Sequence, residues 1–112
     1  MDESQLLKGI LESCILKIIS LEETYGYDII VKLGDAGFHN VIEGTLYPIL
    51  SRLEKKKYIK CRKAKSPLGP MRKYYTITEL GTHNLEEYLN MYQEVIDKAN
   101  HILFDDNGSN TF

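Results

Sequence analysis

Two short runs of alternating apolar residues flank Lys65-Ser66-Pro67-Leu68-Gly69-Pro70, a segment through which no regular element can pass. Two prolines and a glycine within six residues remove backbone donors and favour turn geometry. Ile59 and Cys61 before it, and Tyr75 and Ile77 after it, are spaced two apart, as residues on one face of a strand are. A β-hairpin with a cationic tip is therefore expected, its strands covering 58–64 and 72–78. Adjacent strand residues point to opposite faces, so only one of Tyr74 and Tyr75 can pack inward; Tyr75, in phase with Ile77, is the expected core residue.

Upstream of the hairpin the periodicity is helical. Leu7, Ile10, Leu11, Cys14, Ile15, Ile18, Ile19 and Leu21 recur every three or four residues, which predicts a first helix over 5–20. Leu6 and Leu16 widen its apolar arc beyond the needs of one small core, so part of it is expected to meet another chain. A second helix, starting at Thr24 or Tyr25 and containing Tyr27, Ile30, Val31 and Leu33, should end in the glycines at 34–37. Residues 38–42 are expected as a connection with room for a brief strand. The third helix, from about Glu43 or Gly44 to Lys56, carries the stripe Leu46, Ile49, Leu50 and Leu53. Pro48 argues for a start near Gly44 or Thr45, because proline is comfortable only in a first turn.

After the hairpin, Thr78 is a suitable N-cap before Glu79 and a long helix to about Phe104. Leu85, Tyr92 and Ala99 share one heptad position and Tyr88, Val95 and Ile102 the other, while Leu89, Ile96 and Leu103 widen the seam. Such a seam needs something to pack against. Dimerisation is the expectation, and packing within the chain's own core is the alternative. The polar residues at 105–112 are expected to form a frayed, disordered tail.

Charge is segregated along the chain. Ten of the fourteen Lys and Arg residues lie between Arg52 and Lys73, where Glu54 is the only acid, so this window is formally +9 in a protein of net −2. Clustered cations release counterions from nucleic-acid phosphates, and this window covers the end of the third helix and most of the hairpin. A lone charge run would read as a solvated loop. Here it coincides with three helices followed by a hairpin, the order of a winged helix-turn-helix.

Other classes find less support. The N-terminus lacks a basic n-region, and Lys8, Glu12 and Lys17 interrupt Leu6 to Leu21, so neither a signal peptide nor a membrane span is expected and the location is read as cytoplasmic. Cys14 and Cys61 form no CxxC pair and are expected as reduced thiols. His39, His83 and His101 are too scattered for a metal site. No nucleophile–base pair or Gly-rich phosphate loop is present, so no enzymatic activity and no cofactor are expected.

Gly44-Thr45-Leu46-Tyr47-Pro48, followed by Leu50, Arg52, Leu53 and Glu54, then Arg72-Lys73-Tyr74-Tyr75 leading to Thr78 and Gly81, resemble the PadR family of bacterial transcriptional regulators. Tyr25-Gly26-Tyr27 with Ile29 is a third matching block, and the blocks follow the family order over residues 6–103. The resemblance implies a mainly α fold with a small β-hairpin: a winged-helix DNA-binding domain over 1–78 and a dimerisation helix over 79–104, as in the compact subgroup. It implies a homodimeric repressor of double-stranded DNA with a two-fold symmetric operator, without a membrane. A small aromatic effector is a candidate ligand at or beside the dimer interface, although no Trp is present to line an aromatic cage. The chain departs from the family pattern at Lys57, where Gly is usual and a different helix ending is expected, and at Glu43, where a small capping residue is common.

By resemblance, Thr45, Tyr47, Ser51 and Arg52 on the third helix and Lys63, Lys65, Arg72 and Lys73 on the hairpin are the DNA-contact candidates. Arg can read guanine with two parallel hydrogen bonds, whereas Lys on a wing more often neutralises phosphate. Tyr47 could instead be a core aromatic, and Arg52 could pair with a nearby acid. The expected dimer seam is Leu85, Tyr88, Leu89, Tyr92, Val95, Ile96, Ala99, Ile102 and Leu103. A winged-helix module that binds another protein without specific DNA binding is the competing reading, and steep salt dependence of DNA binding separates the two.

Overall fold

Helix formation begins twice at the N-terminus. In the computed structural model, which describes residues 3–105, a short helix α1 (Ser4–Leu7) is followed by a turn and then by α2 (Leu11–Leu21). The single helix expected over 5–20 is thus broken. Gly9 sits at φ +87°, a left-handed conformation that needs no accommodation of a Cβ, and it redirects the chain between the two pieces. The apolar spacing runs across the break, which is why spacing did not reveal it. α2 buries Ile15, Leu16 and Ile19.

α3 (Gly26–Asp35) buries Ile29 and Leu33 beside them. Its end is a double closure: the Phe38 N–H donates to the Leu33 carbonyl at 2.8 Å and the Gly37 N–H to that of Gly34 at 2.9 Å, with Gly37 at φ +108°. Residues 38–42 contain a turn and no strand, so the brief strand allowed for there does not form. Val41 goes directly into the core.

α4 (Glu43–Lys55) begins at Glu43, the earlier of the two expected starts, which places Pro48 in the second turn. Pro48 leaves the carbonyl of Gly44 without its usual helical donor, and Gly44 is exposed, so water can serve it. Glu43 is the first helical residue, where a carboxylate suits the helix dipole, and Ile42 precedes it without a side-chain cap. At the other end, Lys57 takes the left-handed position at φ +65°, while Tyr58 N–H reaches the Leu53 carbonyl and Lys57 N–H that of Glu54, both at 3.0 Å. The different ending expected from the missing glycine does not occur: lysine adopts the glycine geometry, at a cost of about 1–2 kcal/mol.

β1 (Ile59–Lys65) and β2 (Met71–Ile77) pair antiparallel from Ile59 opposite Ile77 to Lys65 opposite Met71. Each strand is displaced one residue toward the tip relative to expectation. Tyr75, 3% exposed, is the inward tyrosine. It also forms a bridge to Thr24, with Tyr75 N–H donating to the Thr24 carbonyl at 2.7 Å and the reverse bond at 3.2 Å, so the loop before α3 acts as a one-residue third strand. α5 (Glu79–Leu103) then starts where Thr78 Oγ1 accepts from the Gly81 N–H at 3.0 Å. Gly81 passes so close to β1 that a Cβ there would lie 2.9 Å from the Tyr58 carbonyl carbon. The result is a winged helix-turn-helix with a C-terminal helix of about 37 Å, of which only Gly81 and Leu85 are buried.

Candidate nucleic-acid interface

A 100° step per residue divides α4 into distinct faces. Leu46, Ile49, Leu50 and Leu53 hold it to the core. Gly44, Pro48, Ser51 and Lys55 lie on the opposite side, and all four are exposed. Thr45 and Arg52 flank this strip on the side of the N-terminal segment. There they line a cavity of about 580 Å³ with Leu7, Leu11, Phe38 and Val41. Tyr47 flanks it on the other side, over α3. A Cβ on Gly26 would lie 2.9 Å from its ring, yet Tyr47 keeps 42% of its surface, so the ring packs and presents an edge at once.

Arg52 pairs with an acid, Glu12 on α2. Its Nε stands 3.8 Å from Glu12 Oε1, and Lys56 Nζ stands at the same distance from the same oxygen. Neither contact is short enough for a hydrogen bond, and that buried oxygen accepts none.

The hairpin also has two unlike faces. On one, the core residues Ile59 and Tyr75 give way toward the tip to Lys63 directly opposite Lys73, then Lys65 opposite Met71. Like charges facing each other across a ladder destabilise a sheet, and neither Lys63 nor Lys73 has an acidic partner among the described residues. On the other face only Arg62 is paired with an acid among the described residues, and Arg72 is stacked on a ring while keeping its charge. Arg62 donates to both oxygens of Glu23, at 2.7 and 2.6 Å, holding that carboxyl below the usual carboxylate range. The Arg62 guanidinium lies 4.9 Å from the ring centre of Tyr74, which meets Tyr25 edge-on at 5.8 Å. Arg72 then stacks on Tyr25 at 3.9 Å.

The eight DNA-contact candidates therefore divide. Ser51 lies on the exposed strip of α4, with Thr45, Tyr47 and Arg52 on its flanks; Lys63, Lys65 and Lys73 share one hairpin face; Arg72 lies on the other, engaged with Tyr25. Lys55, absent from the candidates, lies on the exposed strip one turn after Ser51 and has no acidic partner among the described residues. Its four-residue spacing from Ser51 within the basic window was the signal available for it. Burial pushes the thiols of both Cys14 and Cys61 upward, and both are free. Among the described residues no His, Cys, Asp and Glu cluster could hold a metal. No helix among the described residues is long and apolar enough to cross a membrane.

α5 carries a second unsatisfied surface. Leu85 belongs to the chain's own core, and Tyr88 is half-buried, stacked on Tyr92 with centroids 5.9 Å apart. Beyond them Leu89, Tyr92, Val95, Ile102 and Leu103 are exposed, with Ile96 and Ala99 half-buried between them.

Comparison with known proteins places this geometry among gene regulators. Residues 15–87 match the model of the transcriptional regulator PadR-like family, whose members are regulators rather than enzymes. A PadR-like transcriptional regulator of Bacillus cereus is 48% identical, with a TM-score of 0.83 over 92% of this chain and 100% of the other. Bacillus subtilis PadR, solved in complex with operator DNA, is 27% identical with a TM-score of 0.65, covering 71% of this chain and 46% of that one. An uncharacterized protein of Lysinibacillus sphaericus is 36% identical over 85% of this chain and 89% of its own length.

Proposed function

This chain belongs to the transcriptional regulator PadR-like family, and from that membership we propose that it is a homodimeric repressor of double-stranded DNA. The exposed strip of α4 enters the major groove, and the Lys63, Lys65 and Lys73 face of the hairpin lies along flanking phosphate. The carrying observation is Lys63 opposite Lys73, a like-charge pair that costs stability in the free protein and is relieved by a polyanion. The operator complex of Bacillus subtilis PadR supports the same reading by similarity.

Dimerisation is supported by the exposed run from Leu89 to Leu103 on α5, an apolar stripe too extensive for a helix that ends in solvent. Two copies related by a two-fold axis would present two α4 helices to a symmetric operator. A small aromatic effector has a candidate seat in the cavity between the N-terminal segment and α4, whose floor of Leu7, Leu11, Phe38 and Ile49 adjoins Arg52. Occupation there would release DNA by shifting Thr45 and Arg52.

Selection of duplexes from a randomised pool by the purified protein, followed by sedimentation of the complex, tests the proposal. Recovery of a two-fold symmetric sequence bound by two chains is expected. Retention of no sequence above background, at any salt concentration, would refute it.

A further inference from the structure

Leu68 is 89% exposed, at the far end of the basic hairpin. A single exposed leucine needs no explanation, but the support beneath this one is unusual. The Ser66 N–H donates to the Pro70 carbonyl at 2.8 Å and the Gly69 N–H to that of Ser66 at 3.0 Å. Gly69 takes φ +113°, Pro67 and Pro70 fix their own φ, and Ser66 is buried inside the turn. The tip is thus closed and stiff, and it holds Leu68 outward at no further ordering cost. Met71, also exposed, begins β2 at the end of the lysine-bearing face, opposite Lys65.

We propose that Leu68 is a wedge that enters the DNA minor groove beside the site read by α4 and partly unstacks one base step there; the inference rests on the DNA-binding reading above. The dimensions agree. Seven-residue strands project about 23 Å, while half a turn of B-DNA, the separation of adjacent major and minor grooves along one face, is about 17 Å. A minor groove about 6 Å wide excludes a two-stranded ribbon laid flat but admits one apolar side chain at its tip. Lys63, Lys65 and Lys73 then lie along the phosphates that wall the groove, and Met71 follows Leu68 against the sugars. An inserted leucine kinks the duplex, and flexible pyrimidine–purine steps yield to it most readily. Leu68 thereby makes the protein sensitive to sequence at a position where no hydrogen-bonding side chain reaches the bases.

The test uses the full chain and the duplex it selects from a randomised pool, with 2-aminopurine placed at successive steps outside the symmetric core. The wild type should brighten the probe at one step per half-site, and a TA or CA step should be enriched there. Leu68→Ala should abolish the brightening and weaken binding to the selected duplex roughly tenfold, the order expected for losing one buried apolar side chain. Leu68→Met should retain both signals, and the exposure of the site keeps the fold out of the comparison. A selected duplex bound equally well by Leu68→Ala, or one that never brightens, overturns the wedge and leaves DNA binding standing. A wild-type protein that selects no duplex overturns both.

Discussion

The Nε of Arg52 on α4 lies 3.8 Å from Oε1 of Glu12 on α2, within ion-pair range and too far for a hydrogen bond. Arg52 is exposed, the 3.8 Å separation is too long for a hydrogen bond and Lys56 shares the same oxygen, so the pair is worth less than about 1 kcal/mol even though that oxygen is itself buried. Structural pairing and DNA contact are therefore compatible at this residue. Arg52→Ala is expected to lower the melting temperature only slightly and to cost about 1–3 kcal/mol on the selected operator, with a smaller loss on random duplex. Paired titrations of the variant on both duplexes, with a thermal melt, check this; equal losses on both would reassign Arg52 to phosphate.

Leu85 and Val95 lie on the same helix and should behave oppositely. Leu85 is in the core of the chain itself, and Leu85→Asp should prevent folding through an unpaired buried charge. Val95 is exposed, and Val95→Asp should leave a folded chain whose sedimentation falls from dimer to monomer. A Val95→Asp dimer of undiminished stability would remove α5 from the interface.

Lys57 carries backbone strain that glycine would not. Lys57→Gly should raise stability by about 1 kcal/mol, or about 4–8 °C in melting temperature for a domain of this size. Chemical denaturation of the two proteins measures the difference directly. An unchanged midpoint would mean that the left-handed lysine is held at no net cost.

Asp28 sets part of the acid limit. The Thr24 hydroxyl donates to its Oδ2 at 2.6 Å and Lys32 lies 3.1 Å away, so the carboxyl titrates below its ordinary range. Because the folded value is depressed, its contribution is present above the unfolded carboxylate value and is lost as pH falls through the folded one. Asp28→Asn should melt with a shallower loss than the parent as pH falls below the ordinary aspartate value of about 3.9. Parallel slopes would show that Asp28 contributes nothing to acid sensitivity.

The sequence revealed those features that local periodicity controls. Two-residue alternation around Pro67 and Pro70 located the hairpin, Tyr75 in phase with Ile77 identified the inward face, and Thr78 marked the start of α5. Features that depend on a single dihedral or on distant partners were not legible. Gly9 breaks the first helix without disturbing its apolar spacing. The Thr24–Tyr75 bridge joins residues 51 positions apart, and the stacking of Arg72 on Tyr25 depends on that bridge bringing β2 to the start of α3. Lys55 was obscured for a simpler reason: the basic window contains many lysines, and only the orientation of α4 separates an outward one from the rest.

The salt dependence of binding tests the central claim most directly, since it counts phosphate contacts without needing the operator to be interpreted. Affinity for the selected duplex, measured across salt concentrations for the parent and for alanine at Lys63, Lys65 and Lys73 in turn, should give a steep log–log slope. Each substitution should make it shallower by about one unit while the operator-to-random ratio is kept. A parent slope near zero, or three variants whose slopes match the parent, would contradict the account and return the lysine face of the hairpin to an ordinary solvated surface.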